Sequence, residues 1–240
     1  MAEWLDVSFG VWLGCAASLF LGAFVQRATG FGLAVIGTPL ILMLEPRLVP
    51  AVLVMFGLLV ALMMVGTYRR EIRVDAVGMA LVGRVPGTLL GVWLLLVAPL
   101  VVLEKLIALI VLSSVAVSLC KISLPLNRLS LFVAGVVSGI FGTVSAIGGP
   151  PIALLMHRLP ADSARANLSA FFIASATMTQ LALLVAGKVQ LWHLGLAVTF
   201  LPAVVLGNVL ASRIAHRLDR QTLQRSSLIL STIAALGLLF

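Results

Sequence analysis

The chain alternates long apolar runs with short polar connections. Ten apolar runs fall into two series of five. The first series is 7–25, 31–44, 48–67, 76–98 and 100–119, and the second is 129–146, 147–156, 166–186, 192–212 and 226–240. Because a helix needs about 20 residues to cross a bilayer, the second run of each series is too short to cross alone. We predict an all-α polytopic membrane protein in which each series is a broken or re-entrant helix pair followed by three transmembrane helices.

A pattern of small and polar residues separates the first two runs of each series. In the first series it is Gln26-Arg27-Ala28-Thr29-Gly30-Phe31-Gly32, followed by Ile36-Gly37-Thr38-Pro39. In the second it is Gly142-Thr143-Val144-Ser145-Ala146, followed by Ile147-Gly148-Gly149-Pro150. Within a bilayer, non-helical backbone is tolerated only where protein shields it or where it lines a wet cavity. Such breaks are typical of substrate sites in secondary transporters.

The composition agrees with a membrane protein. Hydrophobic residues make up 62% of the chain, charged residues 10%, and the mean hydropathy is +1.21, which one soluble core with a polar surface cannot accommodate. The first run lacks a basic start and an A-x-A site, so we do not expect a cleaved signal peptide. Cys15 and Cys120 lie within or beside apolar runs and are expected to be buried structural thiols. The net charge of +8 does not indicate nucleic-acid binding, because the basic residues lie in connections and at helix ends.

The distribution of Lys and Arg predicts the orientation, because basic residues are retained in cytoplasmic loops. In one arrangement of the membrane crossings, the only basic residues of the connections and helix ends on the extracytoplasmic side are Arg47, Lys105 and Lys188. The basic residues that it places in the cytoplasm are Arg69, Arg70, Arg73, Lys121, Arg128, Arg158, Arg165, Arg213, Arg217, Arg220 and Arg225. This arrangement, in the inner membrane of the cell, puts both termini on the extracytoplasmic side and gives the two series opposite orientations.

The two series therefore predict an inverted repeat, with an N-terminal half at 1–120 and a C-terminal half at 121–240 that together form one transmembrane domain. Ile36 and Pro39 lie 111 residues before Ile147 and Pro150, and Pro86 with Gly91 lies 116 residues before Pro202 with Gly207. Inverted repeats support alternating access, since each half can adopt the conformation of the other. A carrier is the function that this architecture favours.

Charged and polar residues inside the apolar runs are the candidates for a substrate site, since they are costly in hydrocarbon. Arg84 is expected near mid-membrane, either contacting substrate or bonding carbonyls of a broken helix. Arg27 is either an anion ligand or a side chain that reaches the outer interface. At the second break, the unpaired N–H groups of a helix start would bind an anion. The alternative role of the glycines there is tight helix packing. The full set is Gln26, Arg27, Thr29, Gly30, Gly32, Arg84, Thr143, Ser145, Gly148, Gly149, Pro150, Asn167 and Asn208.

The acidic residues are also informative. No Asp or Glu lies deep in an apolar run, and Glu104 lies near an outer end beside Lys105. We therefore expect no carboxylate proton relay, and uniport, exchange or transport driven by the membrane potential instead. A sodium ion bound by backbone carbonyls would leave no sequence trace, so the coupling ion stays open. No cofactor, metal site or nucleotide-binding signature is expected, and the oligomeric state, including a homo-oligomer, is open.

The two break motifs, 26–32 and 142–151, resemble those of the TauE/SafE family of sulfite and organosulfonate exporters, and the resemblance covers essentially the whole chain. It implies a multi-pass inner-membrane permease for small anions such as sulfite, sulfonates or related carboxylates. Arg84 is inferred from membrane depth and not from the resemblance.

Two other functions are considered. An anion channel would use the broken helices as its filter. An intramembrane serine hydrolase would pair Ser145 with His157, His193 or His216. We expect the chain not to be an enzyme, because all three histidines are predicted at helix ends.

Overall fold

The computed structural model describes residues 7–119, 125–156, 159–214 and 220–238. Within these ranges the chain forms ten α-helices and two short 3-10 turns, and no strand. The helices are α1 (Phe9–Thr29), α2 (Leu33–Leu44), α3 (Ala51–Tyr68), α4 (Val74–Val97), α5 (Leu100–Leu119), α6 (Arg128–Ser145), α7 (Gly149–Met156), α8 (Ala161–Val185), α9 (Leu191–Ile214) and α10 (Arg220–Gly237). Six of them, α1, α4, α5, α6, α8 and α9, are long and apolar enough to cross a membrane. The all-helical, multi-pass architecture is confirmed.

Helices α1 and α2 form an antiparallel hairpin. Helix α1 ends at Thr29 and is capped by Gly30, which has a φ of 98°. Gly32 has a φ of 145°, a conformation that only glycine adopts without strain. A Cβ on Gly14 would meet the side chain of Leu44, and one on Gly22 would meet the backbone of Leu33. Helix α2 therefore folds back along α1, and its 12 residues span about 18 Å.

Helices α6 and α7 form a second hairpin of the same kind. Helix α6 ends at Ser145 and is capped by Ala146, whose φ is 62°, and the eight residues of α7 span about 12 Å. The side chain of Ser138 on α6 donates a hydrogen bond to the carbonyl of Gly148 at 2.5 Å. Two contacts join the hairpins at their breaks: the Thr38 hydroxyl donates to the carbonyl of Ser145 at 2.6 Å, and a Cβ on Gly149 would lie 3.2 Å from that of Phe31.

Helices α2 and α7 are short. At about 18 Å and 12 Å, each is shorter than the roughly 30 Å hydrocarbon layer. Neither helix is long enough to cross a membrane alone. Each break is shorter than the sequence motif that marks it, because 26–29 and 142–145 remain helical and only 30–32 and 146–148 leave the helix.

Two of the helix pairs that join the halves, α4 with α6 and α9 with α1, pack through glycine. On α4, Gly83 and Gly87 lie against the backbone of α6, and a Cβ on Gly139 of α6 would lie 2.7 Å from the Cα of Gly87. On α9, Gly207 lies against the carbonyl of Phe20 on α1. These small residues allow the helix backbones to approach closely, as is common in membranes.

The helix pairs also correspond between the halves. Helix α4 packs on α6 and α9 packs on α1, and α3 packs on α8. In the predicted repeat α4 corresponds to α9 and α6 to α1, so the first two pairs are equivalent. This exchange of equivalent contacts is what an internal repeat would produce. The boundaries 1–120 and 121–240 and the inverted orientation stay predictions.

Some residues named from the sequence lie outside the described ranges. These are Cys120, Lys121, His157, Arg158, His216 and Arg217. Cys15 is described, and it is a free, fully buried thiol, as expected.

Candidate functional site

A small cavity lies where the two hairpins meet. Its volume is about 50 Å³, which is room for a few water molecules or a small solute. Both breaks contribute to its wall, as do α3, α4 and α8. The lining residues are Gln26, Phe31, Gly32, Leu33, Ala34, Val35, Leu53, Val54, Gly57, Arg84, Gly142, Ala146, Ile147, Gly148, Gly149, Phe172, Ser175 and Ala176.

Two helix N-termini face this cavity. Helix α2 starts with Leu33, Ala34 and Val35, and the N-cap residue Gly32 has no side chain to satisfy their N–H groups. Helix α7 starts at Gly149 with Gly148 before it, and both residues line the cavity. Since a helix N-terminus carries about half a positive charge, the two starts together favour an anion.

The start of α7 offers fewer free N–H donors than a helix N-terminus normally has. Pro150 and Pro151 occupy the second and third positions of α7, and proline has no N–H group. The N–H of Ile147 already donates to the hydroxyl of Ser145 at 3.3 Å. The amides left without an intrahelical acceptor are those of Gly148 and Gly149.

Arg84 on α4 supplies a full positive charge to the same cavity. It is only 3% exposed, and its Nη1 donates to the carbonyl oxygen and to the hydroxyl of Ser138, both at 2.7 Å. Its Nη2 donates to the hydroxyl of Thr179 at 3.0 Å. Its buried Nε forms no hydrogen bond within the described residues. Two of the five guanidinium N–H groups, that of Nε and the second of Nη2, therefore form no hydrogen bond within the described residues.

The guanidinium of Arg84 fits because two glycines leave space for it. A Cβ on Gly142 would overlap Nη2, and a Cβ on Gly148 would lie 2.7 Å from Nη1. The hydroxyl of Ser138 links Arg84 to the carbonyl of Gly148. Arg84 therefore contacts the second break through α6 and is fixed by that contact.

No carboxylate balances this charge in the described part of the chain. The two ion pairs formed there, Glu45 with Arg47 and Asp162 with Arg165, do not include Arg84. The ring of Phe171 lies 5.6 Å from the guanidinium carbon, a weak cation–π contact. A buried cation without a counter-charge is costly, so an anion in the cavity would be strongly favoured.

Gln26 joins the first break to the cavity. Its side-chain oxygen accepts a hydrogen bond from the N–H of Leu33 at 3.2 Å, which caps α2 from the last turns of α1. Its side-chain nitrogen, which only donates, has no hydrogen-bond partner among the described residues. Gln26 thus supports the break and leaves a donor for a ligand.

The other predicted residues of the first break lie outside the cavity wall. Arg27 donates from Nη1 to the carbonyl of Met63 on α3 at 3.4 Å. Thr29 donates to the carbonyl of Val25 in its own helix at 2.9 Å. Gly30 ends α1 and lies near Arg165 and Leu168 of α8. Of the candidates at this break, the structure brings Gln26 and Gly32 to the cavity.

At the second break, Gly148 and Gly149 line the cavity, whereas Thr143, Ser145 and Pro150 do not. Thr143 faces Gly91 of α4, and its buried hydroxyl has no partner in the described residues. The hydroxyl of Ser145 donates to the carbonyl of Phe141 at 2.7 Å. His193 accepts from the N–H of Gln190 and contacts the carbonyl of Arg47 through its other nitrogen, so it does not activate Ser145.

The two predicted asparagines have different surroundings, and neither lines the cavity. Asn167 on α8 accepts from the N–H of Arg73 at 2.7 Å and donates to the carbonyl of Glu71 at 3.2 Å, so it fixes the turn between α3 and α4. Asn208 on α9 is 3% exposed, and its side-chain nitrogen has no partner among the described residues.

Several residues of the site had no distinctive signal in the sequence. Ser138 and Thr179, which hold Arg84, are single hydroxyls in apolar helices and are indistinguishable there from residues that bond their own backbone. Gly142 belongs to the quoted motif, and its contact with Arg84 depends on the packing of α4 on α6. Phe172 and Ser175 of α8 also line the cavity.

Comparison with known proteins identifies one family. A family model described as "Sulfite exporter TauE/SafE" matches residues 15–238, which is nearly the whole chain. No curated protein and no solved structure matches the chain.

Proposed function

The chain belongs to the sulfite exporter TauE/SafE family, which makes it a membrane transporter of sulfite or related anions, and from this premise we propose its site and mechanism. A small oxyanion binds in the cavity between the two helix breaks, in contact with Arg84. Alternating access then exposes that cavity to either side of the membrane. Export of sulfite, an organosulfonate or a related carboxylate across the inner membrane is the direction we propose.

The uncompensated charge of Arg84 is the observation that carries this proposal. A buried guanidinium is bonded only to neutral groups of the described residues, and its Nε is unpartnered. The N–H groups at the starts of α2 and α7 line the same cavity. An oxyanion would provide the counter-charge and accept from both sources, and hydrogen bonds to charged groups are about twice as strong as neutral ones.

The size and chemistry of the cavity support a small substrate. A volume of about 50 Å³ suits a compact oxyanion. Three oxygens on one centre, as in sulfite or a sulfonate, can bond the guanidinium and the helix amides at the same time. The tail of a sulfonate or carboxylate would contact Phe31 or Phe172.

Alternating access is supported by the equivalent contacts of the two halves. Residues of α1, α4 and α6 line the cavity, and the α4–α6 and α1–α9 pairs correspond in the predicted repeat. A small movement of one helix pair relative to the other would close the cavity to one side of the membrane and open it to the other, as in repeat-based carriers. A channel is the second mechanism for the same site, and counter-transport distinguishes the two, since a channel shows none.

The test is anion flux in proteoliposomes with matched arginine variants. Arg84→Gln should reduce sulfite flux at least about tenfold, because a charged hydrogen bond contributes roughly 1.5–3 kcal/mol. Arg84→Lys should keep part of the flux, since it retains the charge but loses the planar donor geometry. Arg27→Gln is the control, as Arg27 lies on the same membrane-embedded hairpin but outside the cavity wall.

Thermal unfolding of each variant separates loss of binding from loss of fold. We expect Arg84→Lys to unfold within a few degrees of the parent chain but to gain less stability from added sulfite. Wild-type flux and an unchanged Michaelis constant in Arg84→Gln would overturn the assignment of Arg84.

A further inference from the structure

A second, larger cavity lies on the far side of the second break. It is a groove of about 430 Å³ between α5, α6 and α7, separate from the substrate cavity. Leu129 and Val133 at its rim are 71% and 50% exposed, as expected for side chains that face hydrocarbon. Its deep wall includes Pro150 and Pro151, the first turn of α7.

The groove is polar at one end and apolar at the other. Ser113 and Ser114 lie near the end of α5, and Ser130 lies in the first turn of α6, at the end where α5 and α6 are joined. Ser114 is five residues from the end of α5, about 8 Å along the helix. It is 1% exposed, and its hydroxyl has no partner among the described residues. Beyond this level the wall is apolar.

Positive charge lies at the polar end. Arg128 is the first residue of α6, is exposed, and has no acidic residue beside it in the first turn. The N-terminus of α6 adds the partial positive charge of the helix. A phosphate at this position would be attracted by both.

A phospholipid has the same order of groups as the groove, which is charged at its end, then polar, then apolar. Its phosphate would lie at Arg128, its ester oxygens at the level of Ser114, and its chain along the apolar wall. From Leu129 to Phe141 the groove follows 13 residues of α6, a rise of about 18 Å, which is more than half of the hydrocarbon layer. Water would find too few polar partners along that length.

We propose that this groove is a binding site for an anionic phospholipid, with one acyl chain packed against Pro150 and Pro151. The acyl chain supports the outer side of the α7 start, while Gly148 and Gly149 line the substrate cavity on the inner side. Lipid in the groove therefore stabilises the second break. This site exists whether or not the substrate is the proposed anion, because no residue lines both the groove and the substrate cavity.

The direct test is native mass spectrometry of the full-length protein released from bilayers of phosphatidylglycerol and phosphatidylcholine in equal amounts. The parent chain should retain phosphatidylglycerol in preference. Arg128→Gln should weaken this retention about fivefold, the effect of one basic residue near an anionic lipid. Arg213→Gln, which removes an exposed arginine from the end of α9, should not.

A second pair of variants tests the groove itself. Val133→Trp fills it, whereas Val198→Trp places the same side chain on the exposed face of α9. We expect loss of the retained lipid only in Val133→Trp. Equal retention in both, or equal binding of the two lipids by the parent chain, would overturn the proposal. A dimer that is lost in Val133→Trp while lipid is retained would also overturn it, by assigning the groove to a second copy of the chain.

Discussion

The two helix breaks have the same backbone design but are supported differently. At the first break, Gly30 and Gly32 provide the turn, and Gln26 caps α2 from seven residues away. At the second, Ala146 adopts a positive φ, and Gly148 is held through Ser138 by Arg84, a residue of another helix. The first break is therefore capped by a residue of its own motif, whereas the second depends on the packing of α4 against α6.

This difference suggests a division of roles. We expect the break supported locally to keep its geometry when the surrounding helices move. The second break is held by the cationic residue of α4, so we expect its shape to change with the position of that helix. In a carrier that works by alternating access, the second break would be the one that responds to substrate.

The largest expected effect comes from separating α4 and α6. In Gly87→Leu the new side chain would overlap the carbonyl of Val136, so we expect a loss near the upper end of roughly 1–3 kcal/mol in unfolding free energy. Gly78→Leu on the same helix meets nothing within 4 Å and is the control. Chemical unfolding in detergent measures both. Equal stability of the two variants would contradict the dependence of the second break on this contact.

A substitution at the first break tests whether this break contacts the anion together with the second break. Gln26→Glu keeps an oxygen that can accept from Leu33 but places a negative charge at the cavity. We expect stability close to that of the parent chain and sulfite flux lower by about tenfold, equivalent to about 1.4 kcal/mol. Gln26→Met, in contrast, should lose the cap and about 1 kcal/mol of stability. Normal flux in Gln26→Glu would restrict the anion to the second break.

The smallest effect is expected at the far end of the first hairpin. Arg47 donates to Glu45 from Nε at 2.6 Å and from Nη2 at 2.9 Å, and these hydrogen bonds lower the pKa of the Glu45 carboxyl. A lowered pKa means that the stabilisation is present at neutral pH and is lost as the pH falls through the folded-state value. Because Arg47 is half exposed, the effect should not exceed about 1 kcal/mol. Thermal unfolding between pH 6 and acidic pH, with Glu45→Gln as the pH-independent control, measures it.

The sequence predicted the helices well because bilayer-spanning runs are continuous and apolar. It placed the start of α8 five residues too late, since Asp162 and Arg165 interrupt the apolar pattern. Both residues are helical, and Arg165 donates to the carbonyl of Ala28 at 3.1 Å. Hydropathy indicates which residues can contact lipid, and it does not report tertiary hydrogen bonds such as this one.

The candidate site was less predictable, because neighbouring residues of a helix point in different directions. Gln26 and Arg27 are adjacent, and a step of about 100° around the helix directs one to the cavity and the other to α3. Asn167 is as polar as Gln26 but binds the α3–α4 turn. Arg84 could be inferred because a charge at membrane depth needs a reason, whereas its partners Ser138 and Thr179 required the packed structure.

A structure determined with bound sulfite would show whether the two breaks hold the anion. We expect density for the anion between the guanidinium of Arg84 and the amides of Gly148 and Gly149, with the start of α2 on its other side. An anion bound elsewhere, while the cavity between the breaks stays closed or holds only water, would contradict it.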